Sequence, residues 1–185
     1  DGATHSLWRL KHEAGARPER IALPFDGAIE LTGASDRLDG VVFDLGGWTR
    51  ATKPWFYDPS VGRVAQLPFV APGAYDAPDD IMAREIRYRS HDGVEVPMSI
   101  VMRKDAKLDG SHPTVLYGYG AYGLTEDPFL NPRWYAWVQR GGVLAFAHVR
   151  GGGAFGEEWH LAGRKATKPN TWKDAIAAAE WLIAN

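Results

Sequence analysis

The chain has 185 residues, 45% of them apolar and none of them Cys, with a formal charge of -2 and an isoelectric point near 6.3. This is enough apolar material for one medium domain or parts of two, and it offers no broad basic field for nucleic acid or an anionic membrane surface. Without Cys, disulfides, thiolate catalysis and Cys-based zinc sites are excluded, and no apolar run reaches the roughly 18 residues of a membrane span.

The chain opens on DGATHSLW, which has neither the basic nor the apolar region of an export signal. A cytoplasmic location is expected, with the periplasm left open. No Met starts the chain, and it ends inside an expected helix at WLIAN, so a piece of a longer protein is expected. Residues 5 to 70 carry short apolar, aromatic and β-branched runs: HSLWRL, RIALPF, IELTGAS, GVVFDLGGW, PWFYDPS and GRVAQLPF. Their spacing, with Gly, Pro and Asp between them, predicts antiparallel all-β structure: a sandwich, barrel or propeller. WFYDPSVGRVAQL reads as a hairpin, turned by Asp58, Pro59 and Gly62. From Ala71 to Asp80 the composition shifts to APGAYDAPDD, a linker.

Beyond the linker, EIRYRS and VEVPMSIVMRK form a β-hairpin around HDG. HPTVLYGYG and GGVLAFAHV then read as short buried strands. Between these two lies a helix over 132–140, with Asn131 as N-cap, Pro132 at its first position and Gly141 at its stop, giving a βαβ crossover. A last helix follows in TWKDAIAAAEWLI, with Thr171 as cap and Asp174 as its acidic partner. Trp172, Ala175, Ile176, Ala179, Leu182 and Ile183 share a face expected to pack on the sheet.

Two segments fit G-x-G-x-x-G: Gly118–Gly123 and Gly151–Gly156. A dinucleotide loop must turn from a strand directly into a long helix. Here Pro128 and Pro132 delay the helix after the first segment, and Gly163 and Pro169 interrupt the region after the second. Glu157 and Glu158 would also oppose a bound phosphate. A third reading uses chain position. Counting strands after the linker, the first segment lies between the third strand and the first helix, where an α/β-hydrolase places one donor of its oxyanion hole. A Tyr hydroxyl there can donate to the developing oxyanion, although Tyr117, Tyr119 and Tyr122 could equally be packing aromatics.

YGYGAYG, HVRGGGAFGEEWHLAG and PNTWKDAIAAAEWLI together resemble the prolyl oligopeptidase family of serine peptidases, from about Glu85 to the C-terminus. The resemblance implies the first half of an α/β-hydrolase domain over 84–185, a linker over 73–83, and the closing β-strands of a β-propeller over 1–72. It puts Tyr119 at the position of the tyrosine that completes the oxyanion hole. Tyr122 falls at the substrate-binding position where the proline-specific branch has a phenylalanine. Arg150, Gly151, Gly152 and Gly153 correspond to a structural loop beneath the active site. Short peptides are the implied substrates, and no cofactor or metal is required.

No G-x-S-x-G occurs, and none of the six serines lies on an expected strand-to-helix elbow. In hydrolase order the nucleophile follows the last helix, so this chain alone is expected to be inactive. His148 and His160 are expected to be structural, and Glu157 and Glu158, adjacent in sequence, do not converge on one substrate. The expected function is that of a serine-type oligopeptidase segment. The rivals are a non-catalytic interaction module and a dinucleotide-dependent oxidoreductase.

Overall fold

A computed structural model describes residues 3–185, and it divides into two compact units, residues 4–77 with Pro128–Leu130, and Pro78–Asp127 with Asn131–Asn185. In the first unit, β1 (Leu7–Arg9) pairs antiparallel with β2 (Glu19–Ile21). Then β3 (Ala28–Ser35), β4 (Leu38–Gly47), β5 (Arg50–Asp58) and β6 (Arg63–Gln66) form a four-stranded antiparallel meander in chain order. Phe43 and Leu45, two residues apart on one face of β4, are fully buried with Ile21 and Tyr57. The expected hairpin is present: Asp58 Oδ1 accepts the Ser60 N–H at 2.8 Å, and Gly62 supplies a left-handed turn residue at φ 64°.

The second unit holds a four-stranded mixed sheet in the order β7-β8-β10-β9. Its strands are β7 (Ile81–Arg89), β8 (Glu95–Arg103), β9 (Thr114–Tyr117) and β10 (Val143–Ala147). The first of these starts inside the span expected as linker. Ile81 is buried and pairs with Arg103, so its apolar burial outweighs the Asp79-Asp80 turn signal just before it. A second expectation is also corrected. β9 is an edge strand with Val115 and Tyr117 exposed, not a buried one.

The crossover from β9 to the parallel strand β10 runs through α1 (Pro132–Gln139), whose Asn131 side chain accepts the Arg133 N–H at 2.9 Å. α2 (Glu157–Leu161) is short, and α3 (Pro169–Ala184) follows a 3-10 turn at Lys165–Thr167. Side chains of β10 alternate between faces. Phe146 meets Trp134 of α1, ring centroids 5.1 Å apart, while Val143, Ala145 and Ala147 join Ala178 of α3 in the main core. The two helices therefore cover opposite faces of the strand. No helix among the described residues is long and apolar enough to cross a membrane.

Two expectations about α3 do not hold. Thr171 is not the N-cap, because the helix is already running at Pro169, whose fixed φ suits a first turn. Thr171 and Asp174 are instead buried inside it. The face is also rotated from the one expected: Trp172, Ile176 and Ile183 are exposed, while Ala175, Ala178, Trp181 and Leu182 pack on the core. Thr171 and Asp174 share the inward side of the helix with Ala178, and apolar periodicity alone cannot weigh two polar groups.

Candidate active site

The segment Tyr117–Gly123 leaves the C-terminal end of β9 as a tight loop. Gly120 and Gly123 take φ near +63° and +65°, and Tyr122 takes +55°, a region that favours Gly. A Cβ on Gly120 would overlap side-chain atoms of Thr171 and Val149, so this position admits only hydrogen. The loop thereby lies against β10 and α3. Tyr119 is 46% exposed and Tyr122 is 80% exposed. Their rings stack with centroids 6.4 Å apart, leaving two adjoining aromatic surfaces open to a ligand.

Hydrogen bonds fix the loop from several directions. The Tyr119 N–H donates to Glu126 Oε1 at 2.7 Å, Lys168 Nζ donates to the Gly120 carbonyl at 2.5 Å, and the Gly123 N–H donates to the Gly151 carbonyl at 3.1 Å. Because the Tyr119 N–H is already consumed, any hydrogen bond that Tyr119 gives to a substrate must come from its hydroxyl.

The second glycine segment packs directly beside the first. Gly151 donates to the Trp159 carbonyl, Gly152 to the Val149 carbonyl and Gly153 to the Leu124 carbonyl, at 2.9 to 3.3 Å. The amides a phosphate would need are turned inward to protein carbonyls, and neither segment runs straight into a long helix. Both features count against a dinucleotide cradle. Arg150 is buried and its guanidinium is held by Asp92 and Asp174. It braces the loop from within and is not presented to substrate. Gly151–Gly153 are likewise packed against the first loop.

Beside Tyr122 lies an open recess of about 430 Å³ whose other walls include Gly153, Glu157, His160 and Arg164. Within it the His160 ring lies with Nδ1 2.8 Å from the Gly151 carbonyl, so Nδ1 carries the proton. An apolar cleft of about 390 Å³ lined by Ile100, Leu116 and Leu182 contains none of the Tyr117–Gly123 residues. The recess beside Tyr122 is the one that adjoins the candidate chemistry.

Sequence reasoning missed a group of side chains behind the loop. His148 is buried with Nε2 2.9 Å from Ser99 Oγ, and its Nδ1 lies 3.7 Å from Glu126 Oε2. Serine, histidine and carboxylate thus stand in the sequence of a catalytic triad. Ser99 is 2% exposed in the middle of β8, however, so no substrate carbonyl can reach its hydroxyl. The signal for this group was absent from the sequence, since residues 99, 126 and 148 come together only through sheet register and loop return. No cluster of three or more His, Asp or Glu side chains able to hold a metal occurs among the described residues.

Comparison with known proteins agrees with this architecture. Residues 129–185 match the model of the prolyl oligopeptidase family. The chain is 37% identical over 179 residues to the dual function macrocyclase-peptidase POPB of Amanita bisporigera, covering 95% of this chain and 24% of that protein. It is 39% identical over 108 residues to the prolyl endopeptidase of Elizabethkingia meningoseptica, covering 58% of this chain and 15% of that protein. The solved structure of prolyl oligopeptidase B from Galerina marginata, bound to a 35mer hydrolysis and macrocyclization substrate, matches with a TM-score of 0.89 at 34% identity, covering 99% of this chain and 26% of the other. The chain thus spans about a quarter of the length of the relatives it matches. Fold and sequence together make this chain a member of the prolyl oligopeptidase family.

Proposed function

We propose that this chain is the segment of a serine-type oligopeptidase that carries the closing blade of a β-propeller and the first half of the α/β-hydrolase domain. The four-stranded antiparallel meander β3–β6 has the form of a propeller blade. The unit from Pro78 onward supplies the oxyanion side of the active site, and the nucleophile, its base and their carboxylate come from elsewhere in the complete protein. A short peptide is attacked at its carbonyl by the serine, whose proton passes through the base to the leaving amine as the C–N bond breaks, and water then hydrolyses the resulting acyl-enzyme.

The observation that carries this reading is the placement of Tyr119. It stands half-exposed on the loop between the third strand and the first helix of its unit, with its backbone N–H already committed to Glu126. That loop is where an α/β-hydrolase supplies one oxyanion donor. Here the hydroxyl takes that role as negative charge grows on the carbonyl oxygen, and removing such a donor typically costs about 10²- to 10³-fold in turnover. Tyr122 and the recess beside it bind the flanking substrate residue.

Two measurements test the proposal. In the complete protein, Tyr119→Phe should lower kcat for a fluorogenic peptide with the fold intact, and an unchanged kcat removes Tyr119 from the oxyanion role. The 185-residue chain alone should show no hydrolysis, and turnover by it would place the nucleophile among its own serines.

A further inference from the structure

Behind the exposed tyrosine lies a partly buried group of side chains that the proposed chemistry does not use. Glu126 sits on the loop between β9 and α1, and its carboxylate bridges two groups. One oxygen accepts the Tyr119 N–H at 2.7 Å, and the other faces His148 Nδ1 at 3.7 Å. The Glu126 side chain is only 12% exposed. His148 Nδ1 has no hydrogen-bond partner among the described residues, so Glu126 is the polar group it faces. On its far side the ring is fixed by Ser99, which lies in β8, a central strand.

We propose that Glu126 is a positioning residue for the oxyanion donor: it transmits the rigidity of the sheet, through Ser99 and His148, to the backbone of Tyr119. This rests on the reading of Tyr119 given above. Tyr119 follows Gly118 and precedes Gly120, so its own neighbours confer little backbone stiffness. A hydroxyl at the end of a long ring moves far for a small rotation at its Cα. Lys168 Nζ fixes the following carbonyl, that of Gly120, so that the N–H before the turn and the C=O within it are each held by a charged side chain. Hydrogen bonds with an ionised partner are roughly twice as strong as neutral ones, and oriented catalytic groups lose about 10²-fold for a misplacement near 1 Å. The triad-like order of Ser99, His148 and Glu126 therefore serves geometry, not nucleophilic attack.

The test compares Glu126→Ala, Glu126→Gln, Tyr119→Phe and the double variant Glu126→Ala/Tyr119→Phe in the complete protein, by kcat and KM on a fluorogenic peptide and by amide exchange over residues 117–124. Glu126→Ala should lower kcat by about ten- to a hundred-fold with KM changed little, and amides of 117–124 should exchange faster. Glu126→Gln should retain more of kcat than Glu126→Ala, because its amide oxygen still accepts the Tyr119 N–H although the charge that strengthens this bond is gone. The double variant should be about as slow as Tyr119→Phe alone, since no hydroxyl remains to be misplaced. If Tyr119→Phe is slow while Glu126→Ala matches the parent, the positioning role is overturned and the oxyanion reading stands. If Tyr119→Phe is as fast as the parent, the oxyanion reading falls and this proposal with it. Should Glu126→Ala fail to fold, Glu126→Asp decides: its shorter side chain cannot span both partners and should be slower than Glu126→Gln, and equal rates would count against positioning.

Discussion

Asp174, in the second turn of α3, binds Arg150 of the glycine loop through three hydrogen bonds inside the protein. Its Oδ2 accepts from the Arg150 backbone N–H at 3.0 Å and from Nε at 2.9 Å, and its Oδ1 accepts from Nη2 at 2.6 Å. Ser90 Oγ adds a fourth at 2.5 Å, and Asp174 is fully buried. Removing one partner of such a pair leaves an uncompensated charge in the interior, which typically costs about 3–5 kcal/mol. Asp174→Ala should therefore lower the urea midpoint strongly. Thr171→Ala, which removes the hydroxyl's bonds to the Arg150 carbonyl at 2.7 Å and to the Gly163 carbonyl at 3.3 Å, should cost about 1 kcal/mol. Equal losses from the two would show that the charge pair carries no special share of the stability.

Arg150 also forks onto Asp92, with Nη1 at 2.6 Å from Oδ2 and Nη2 at 3.1 Å from Oδ1. Hydrogen bonding by this guanidinium is the largest cause that lowers the Asp92 pKa to about 2 from its ordinary 3.8. A folded-state pKa below the unfolded one makes the group stabilising above pH 4, and that contribution is lost as pH falls from about 4 through 2. The Asp92 side chain is 36% exposed, so solvent screening keeps the effect to about 1 kcal/mol or less. Urea midpoints at pH 6 and pH 2.5 should fall further apart for the parent than for Asp92→Asn. A parent and variant with the same acid sensitivity would exclude this pair as an acid-labile contact.

The sequence made the element order readable, because strands and turns are local. The Asn131 cap and the Asp58 turn depend on neighbours within a few residues. Asp174 was misread for the opposite reason. Three residues after a Thr, an Asp looks like a capping partner, and only the three-dimensional fold brings Arg150, 24 residues earlier, to its carboxylate. Glu126 gave no signal at all, since its partners are a backbone N–H seven residues back and a histidine on another strand end. Tyr119 is singled out by its chain position between a strand and a helix, which is itself a local feature. What fixes that tyrosine is non-local, and it was invisible.

The two glycine segments are interlocked, and substitution should reveal it. Gly151 has φ +97°, and a Cβ there would overlap the Gly120 carbonyl oxygen. Gly62 also has a positive φ, but a Cβ there meets open space. Gly62→Ala should cost only the conformational penalty of a left-handed residue, roughly 1–2 kcal/mol. Gly151→Ala adds a backbone collision that no side-chain rotation can relieve, so its urea midpoint should fall clearly further. Similar losses at both positions would mean that the loops separate easily and do not form one packed unit.

The rotation of α3 offers a final check on what orients the helix. Ala178 is fully buried against the sheet, whereas Ile176, two residues earlier, is exposed. At 3.6 residues per turn these two point to nearly opposite sides. Burying Asp174 beneath the Arg150 loop fixes the first turns, and the rest of the helix must follow, even though this leaves Trp172, Ile176 and Ile183 facing outward. Ile176→Glu should therefore change the stability of this chain by no more than about 0.5 kcal/mol. Ala178→Leu should cost about 1–3 kcal/mol through overpacking against the strands. The opposite ranking would mean that apolar periodicity sets the helix face in solution and that the Arg150–Asp174 pair yields to it. With the ranking expected here, one buried ion pair outweighs three exposed apolar side chains in deciding how α3 sits, and so where it holds Lys168 against the Gly120 carbonyl.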